Sequence, residues 1–379
     1  MGIAMDKYQV NANNFRILGR TIEIAGIRWL AYSASGIEFI TSASVVKADI
    51  AGITGTGADS DYAWIGIILN DDQQKMKRVR IARGMRTYTI CENFGLRDVK
   101  ITILKLTEEK DDKVGIAAVY ADCPVLPEKT PDRRILFIGD SITAGYGVEA
   151  GEAPGDTSYV YDSADTNPLR AYPYLTARGL SADFQLFCWS GNGVISHWIE
   201  NTDLPDTADL MPALYPYTAK NTEEVVRITM SAKGVRGVSF DPNAPAGSPR
   251  GLTIYDPAEF VPDVIVSNLG TNDASYTKGT PARERLFMQR YAQFLAALGR
   301  DYPGALKIAA YGLMEQSLAP AVREAAFLSD SLYLPLPVLD PADGLGGGQH
   351  PGALTHAKTA KILIQAIRQQ TGWQQQTAR

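Results

Sequence analysis

Four residues in this chain have the side chains and settings that acyl-group chemistry needs. Ser141 lies in "FIGDSITAGYG" (137–147), where the apolar run "ILFIG" gives way to an acid, a serine and a loop of small residues. Gly191, in "WSGNG" (189–193), offers a backbone N–H that a ligand can approach with no Cβ in the way. Asn272, in "NLGTND" (268–273), offers a two-hydrogen amide donor. His350, in "GGGQHPGALTH", is a candidate base in a glycine-rich loop. A hydroxyl to attack a carbonyl, an imidazole to take its proton and donors to meet the oxygen that becomes negative are the minimum set for acyl transfer. "GDSIT" also permits a plainer reading, in which Ser141 or Asp140 only caps the helix that follows. It is not the nucleophile elbow G-x-S-x-G, because Thr143 stands where the second glycine is required.

These residues can meet only if the elements before them run side by side. From 134 onward, apolar runs of strand length alternate with helical stretches: "RILFIG" (134–139), "FQLFCW" (184–189), "DVIVSN" (263–268), "LKIAAYG" (306–312) and "LYLPLPV" (332–338). Between the third and fourth runs the sequence predicts a helix with Thr280 as cap and Pro281 at its first position. Its apolar face is Phe287, Tyr291, Phe294, Leu295 and Leu298, and Gly299 marks its end. A last helix spans about 353–370, stopped by Gly372. Such alternation predicts an α/β fold, a parallel sheet flanked by helices, whose ligands bind at the carboxyl ends of the strands. Ser141, Gly191 and Asn272 each follow one of those ends, and His350 comes after the last strand, just before the final helix.

The first third of the chain reads differently. Short alternating runs such as "RWLAYSA", "IEFITSA", "YAWIGIIL", "RTYTIC" and "VKITILKL", separated by turn residues, predict an antiparallel β-sandwich over 1–123. Pro124, Pro127 and Pro131 cluster after it, so a linker is expected at 124–132, with the α/β domain occupying 133–379. Residues 219–255 break the β-α rhythm. The turn-rich "RGVSFDPNAPAGSPRG" within them reads as an exposed loop or hairpin extension, an irregular insertion in the second domain.

Composition removes several classes of function. With 37 basic against 42 acidic residues and a net charge of −5, and with no polybasic block, nucleic acid and membrane surfaces are not expected partners. No run approaches the length of a spanning helix, and "MGIAMDKYQV" lacks the layout of a signal peptide, so secreted and cytoplasmic locations both remain compatible. Cys91, Cys123 and Cys188 are sparse and lie in or beside strands, as small buried hydrophobes do. Of the three histidines, His197 and His356 are read as structural. No H-E-x-x-H pattern or other ligand spacing occurs, so neither a metal nor a cofactor is expected.

Taken together, "FIGDSITAGYG", "WSGNGV", "MPALY", "VPDVIVSNLGTND" and "HPGALTHAKTA" resemble the SGNH, or GDSL-type, hydrolases, and within them carbohydrate esterase family 2. "RVRIARGMRTYTICENF" and "VKITILKLTEE" resemble that family's N-terminal sandwich. The resemblance implies a jelly-roll domain joined to an SGNH domain that removes O-acetyl groups from plant polysaccharides such as xylan or mannan. It implies Ser141 as nucleophile, His350 as base, and an oxyanion hole built from the Ser141 and Gly191 N–H groups and the Asn272 amide. Two alternatives stand beside it: a carbohydrate O-acetyltransferase using the same site, and a non-catalytic carbohydrate-binding protein whose sandwich holds glycan while the SGNH domain is a relic. One departure stands out, because the Asp that usually precedes the histidine is replaced by Gly347 and Gly348. A Ser-His dyad with a backbone carbonyl on the second ring nitrogen is then expected, Asp343 being the weaker substitute. Among nearby aromatics, Tyr146, Trp189 and Tyr276 are the candidate substrate contacts, with core packing favoured for Trp189; Trp198 also lies close in sequence.

Overall fold

The computed structural model describes residues 4–53, 59–92, 97–110, 112–232 and 251–374. The chain divides into two compact units, 1–130 with 217–255 and 131–216 with 256–379.

The first unit is built from strands β1 (Asp6–Tyr8), β2 (Arg16–Leu18), β3 (Thr21–Ile24), β4 (Ile27–Leu30), β5 (Gly36–Thr41), β6 (Val45–Ile53), β7 (Trp64–Leu69), β8 (Lys77–Arg80), β9 (Gly84–Glu92), β10 (Val99–Lys105), β11 (Lys113–Ala121) and β12 (Val125–Pro127). They form two antiparallel six-stranded sheets. One runs β3-β4-β11-β6-β9 with β1 on β11, and the other β12-β5-β10-β7-β8 with β2 on β5. The alternation seen in the sequence is what two facing sheets require. Ile37 and Phe39 of β5 meet Ile50 of β6 and Val114 and Ile116 of β11 in one core, all fully buried. Within the stretch expected as linker, Val125–Pro127 pairs with β5 as an edge strand. At an edge, a proline that cannot donate to the ladder is tolerated.

The second unit opens with β13 (Arg134–Gly139), then α1 (Ser141–Ala144), α2 (Tyr172–Gly179), β14 (Asp183–Cys188) and α3 (Met211–Leu214). The chain then leaves it, and α4 (Lys220–Ala232) belongs to the first unit. Sequence patterning missed this helix. Glu223 at its start is buried, bonded to Arg227 one turn on and to the Thr253 N–H at 2.8 Å. The segment "RGVSFDPNAPAGSPRG", except Gly251, lies outside the described residues.

Back in the second unit follow β15 (Val264–Asn268), α5 (Thr271–Thr277), α6 (Pro281–Asp301), β16 (Leu306–Leu313), α7 (Ala319–Leu328), β17 (Leu332–Val338) and α8 (Ala353–Thr371). The sheet order is β14-β13-β15-β16-β17, every pair parallel. The five runs picked from the sequence are these strands, within a residue at most ends. The predicted face of α6 is the buried one. That helix continues past Gly299 to Asp301, because its end is set by Tyr302, whose N–H closes on Leu298 O. Gly372 caps α8 in a left-handed conformation, φ 71°.

Candidate active site

Strand β13 delivers Ser141. Its last residue, Gly139, pairs with Cys188 of β14 and Asn268 of β15, so the ends of three strands lie level. Asp140 caps α1, its carboxylate accepting the Ile142 N–H at 3.1 Å. The cap and the hydroxyl are therefore separate residues. Ser141 Oγ lies 2.9 Å from His350 Nε2.

The imidazole is held from its other side by main chain. His350 Nδ1 lies 3.1 Å from Gly347 O and 3.0 Å from Gly348 O. Carbonyl oxygens only accept, so Nδ1 carries the proton and Nε2 is left to accept from the serine. A side chain does not fit at Gly347, and at Gly348 the left-handed φ of 63° favours glycine. A Cβ on Gly347 would come within 2.3 Å of the Tyr159 ring. Asp343, the weaker candidate, is instead paired with Lys358 Nζ at 2.6 and 2.7 Å.

Strand β14 leads into the Gly191 turn. Gly191 has φ 79°, a left-handed conformation that favours glycine, and a Cβ there would meet nothing within 4 Å, so its backbone borders open space. Among the described residues, no acceptor pairs with the N–H of Ser141 or of Gly191. Strand β15 leads into α5, where Asn272 and Asp273 sit side by side. The Asn272 amide donates to Asn192 O at 2.9 Å and, more weakly, to Asp140 Oδ2 at 3.2 Å. Asp273 is fully buried, and its carboxylate accepts the N–H groups of Val194, Ile195 and Ser196 at 2.7 to 3.2 Å. Burial pushes its pKa up to about 6, while those backbone donors pull it down. This acid, read from sequence only as a turn organiser, fastens the loop after Gly191 to the helix that carries Asn272.

The aromatic candidates separate. The Tyr146 ring centroid is 4.6 Å from that of His350, and its other neighbours are Tyr161, stacked at 5.2 Å, and Tyr159, edge-on at 6.2 Å. Tyr159 and Tyr161 were not singled out from sequence, though "SYVYD" places two tyrosines on one side of an exposed, turn-rich stretch. Trp189 is half-buried at the end of β14, its N–H bonded to Gly139 O. Tyr276 carries the Arg283 guanidinium over its ring at 4.5 Å. Trp198 is 55% exposed, and its N–H donates to Gly191 O. His356 is buried, its Nδ1 accepting the Tyr172 N–H at 3.2 Å, and the His197 ring bonds Ala208 O. Both histidines have local structural partners, as expected.

Residues 135–331 match the model of a family described as GDSL-like lipase/acylhydrolase. The chain is 23% identical to an acetylxylan esterase/glucomannan deacetylase of Cellvibrio japonicus, over 95% of this chain and 90% of that protein. Among solved structures it is similar to an acetyl xylan esterase from the rumen bacterium Butyrivibrio proteoclasticus, with a TM-score of 0.79 at 20% identity over 98% of this chain and 99% of the other. It is also similar to a family two carbohydrate esterase from Clostridium thermocellum, in complex with cellohexaose, with a TM-score of 0.76 at 22% identity over 95% and 100%. Those structural likenesses concern the fold, whereas the family match runs from β13 past α7 and takes in the serine, the Gly191 turn and Asn272. The chain belongs to the GDSL-like lipase/acylhydrolase family.

Proposed function

We propose that this protein is a serine esterase that removes O-acetyl groups from carbohydrate, with an acetyl-Ser141 intermediate and His350 as general base. The observation that carries the reading is the 2.9 Å contact between Ser141 Oγ and His350 Nε2, with the opposite ring nitrogen on two carbonyls. Ser141 Oγ attacks the acetyl carbonyl as His350 takes its proton. The oxygen that becomes negative is met by the Ser141 and Gly191 N–H groups and by the Asn272 amide, whose weaker contact to Asp140 yields to it. His350 then gives that proton to the departing sugar oxygen, which leaves as a hydroxyl, and a water deprotonated by the same ring releases acetate.

The substrate class follows the relatives, one an acetylxylan esterase/glucomannan deacetylase and others carbohydrate esterases of family two. Tyr146, half-exposed beside His350 and backed by Tyr161, is the substrate contact with the best support among the three aromatic candidates. Trp189 and Tyr276 are the further proposed substrate contacts. The relic reading loses its main argument once main-chain carbonyls stand in for the missing acid. The deciding experiment is acetate release from acetylated xylan, acetylated mannan and small acetyl sugars, with Ser141→Ala as control. Release by the wild type alone is expected. Acetylated acceptor sugar with little free acetate would reassign the protein as a transferase, and no turnover on any of them would overturn the reading.

A further inference from the structure

Two consecutive residues before His350 are in the left-handed region, Gly348 at φ 63° and Gln349 at φ 58°. Glycine adopts this readily and glutamine does not, so something must hold Gln349 there. Its main-chain N–H donates to Glu152 Oε2 at 2.7 Å, and its side-chain amide donates to the same oxygen at 3.0 Å. That amide also reaches Ala153 O at 3.0 Å and Asp156 O at 2.9 Å, while its oxygen accepts the Gly155 N–H at 2.8 Å. Glu152 makes no ion pair among the described residues. Its other oxygen, Oε1, is buried without a hydrogen-bond partner among them. The carboxylate is thus directed at Gln349 alone.

The peptide unit joining residues 348 and 349 explains why this matters to the imidazole. In a trans peptide the C=O and the N–H point in opposite directions. Here the Gly348 C=O faces His350 Nδ1 at 3.0 Å, and the N–H at the other end of the same plane faces Glu152 at 2.7 Å. A carboxylate that accepts this N–H fixes the plane and polarises its carbonyl, making it a stronger acceptor for the imidazole proton. We propose that Glu152 is the positioning acid of His350, acting through the 348–349 peptide, with the Gln349 side chain clamping the two together. The inference rests on the Ser141–His350 reading above and extends it. The charge that serine triads place against the ring nitrogen is here set one peptide unit away.

The test compares Glu152→Ala, Glu152→Gln and Gln349→Gly with the wild type. The readouts are steady-state acetate release and the His350 Nδ1–H resonance in protein labelled with ¹⁵N-histidine, which has only three histidines to assign. Glu152→Ala is expected to lower kcat by about tenfold to a hundredfold with KM little changed, the scale of loss when a reacting group is slightly misplaced. It should also move the Nδ1–H resonance upfield. Glu152→Gln keeps an acceptor without the charge and should show a smaller change of the same sign in both measurements. Gln349→Gly keeps the main-chain donor and relieves the left-handed strain but loses the clamp, so it should fold well and still lose turnover. Wild-type kcat with an unmoved resonance in Glu152→Ala would overturn the proposal, as would a loss confined to melting temperature. If the wild type released no acetate, the esterase reading would fail, and the resonance comparison would still decide the relay.

Discussion

Asp140 and Ser141 are neighbours with separate tasks. The acid caps α1 through the Ile142 N–H, and the serine hydroxyl sits on the His350 ring. From "GDS" alone these tasks could be exchanged, because aspartate and serine are both good caps. The residues proposed for the chemistry stood out in the sequence, Ser141, Gly191 and Asn272 because each follows an apolar run and His350 because the chain has only three histidines. What orients the histidine was legible only as an expectation, because a backbone carbonyl has no letter of its own. Asp343 is held by Lys358, so Asp343→Asn should keep most of the wild-type kcat/KM in an acetate-release assay, and a loss as deep as that of His350→Ala would refute the dyad. Asn272→Ala should lower kcat about 10²- to 10³-fold, the usual cost of one lost oxyanion donor, without abolishing turnover.

At the scale of elements, the parallel strands could be read because a strand buried on both faces is a nearly unbroken apolar run. The helix α6 could be read for the opposite reason, an apolar stripe on one face. The helix α4 could not. Its buried positions are the polar Thr222 and Glu223 together with Val226, while Ile228 is exposed, and Glu109 Oε1 from a separate part of the chain accepts the Thr222 N–H at 3.0 Å, so its seat is set by tertiary hydrogen bonds that no letter pattern announces. The tie between α5 and the loop after β14 was equally hidden, since one carboxylate serving several N–H groups leaves no pattern. Asp273→Ala should leave three buried N–H groups without their acceptor, those of Val194, Ile195 and Ser196. Each such loss costs about 1–3 kcal/mol, against which stands the relief of burying a charge. A lower melting temperature together with a lower kcat is expected, as the Gly191 turn and Asn272 lose their common anchor. A variant that melts and turns over like the wild type would remove Asp273 from the site.

For the whole molecule, the buried His356 sets a pH dependence. Burial first, then the nearby His350 ring and Arg170, lower its pKa to about 3 from 6.5. Between those values the unfolded chain binds a proton that the folded chain does not. The stability it allows is therefore intact above pH 6.5 and is lost progressively as pH falls toward 3. Asp273, raised to about 6, works the other way and favours the folded state as pH falls below 6. An asparagine at 356 keeps an acceptor for the Tyr172 N–H and cannot titrate. In urea unfolding, His356→Asn should therefore lose about 2 kcal/mol less than the wild type on going from pH 7 to pH 5. Equal losses would show that the ring does not control acid stability.

The excursion through 217–255 has a practical consequence for dissecting the chain. Arg20, 1% exposed, donates to Tyr217 O at 2.7 Å and lies 3.6 Å over the Tyr255 ring, and Tyr217 bridges to Ile254. One guanidinium thus gathers the segment's departure and its return. A truncation that discards everything before residue 131 would strip α4 of its seat, leaving Val226 wet and the Thr222 N–H without Glu109. Because Tyr217 and Ile254 already meet in an antiparallel bridge, joining 216 to 256 through a short turn should yield a minimal hydrolase that circumvents this.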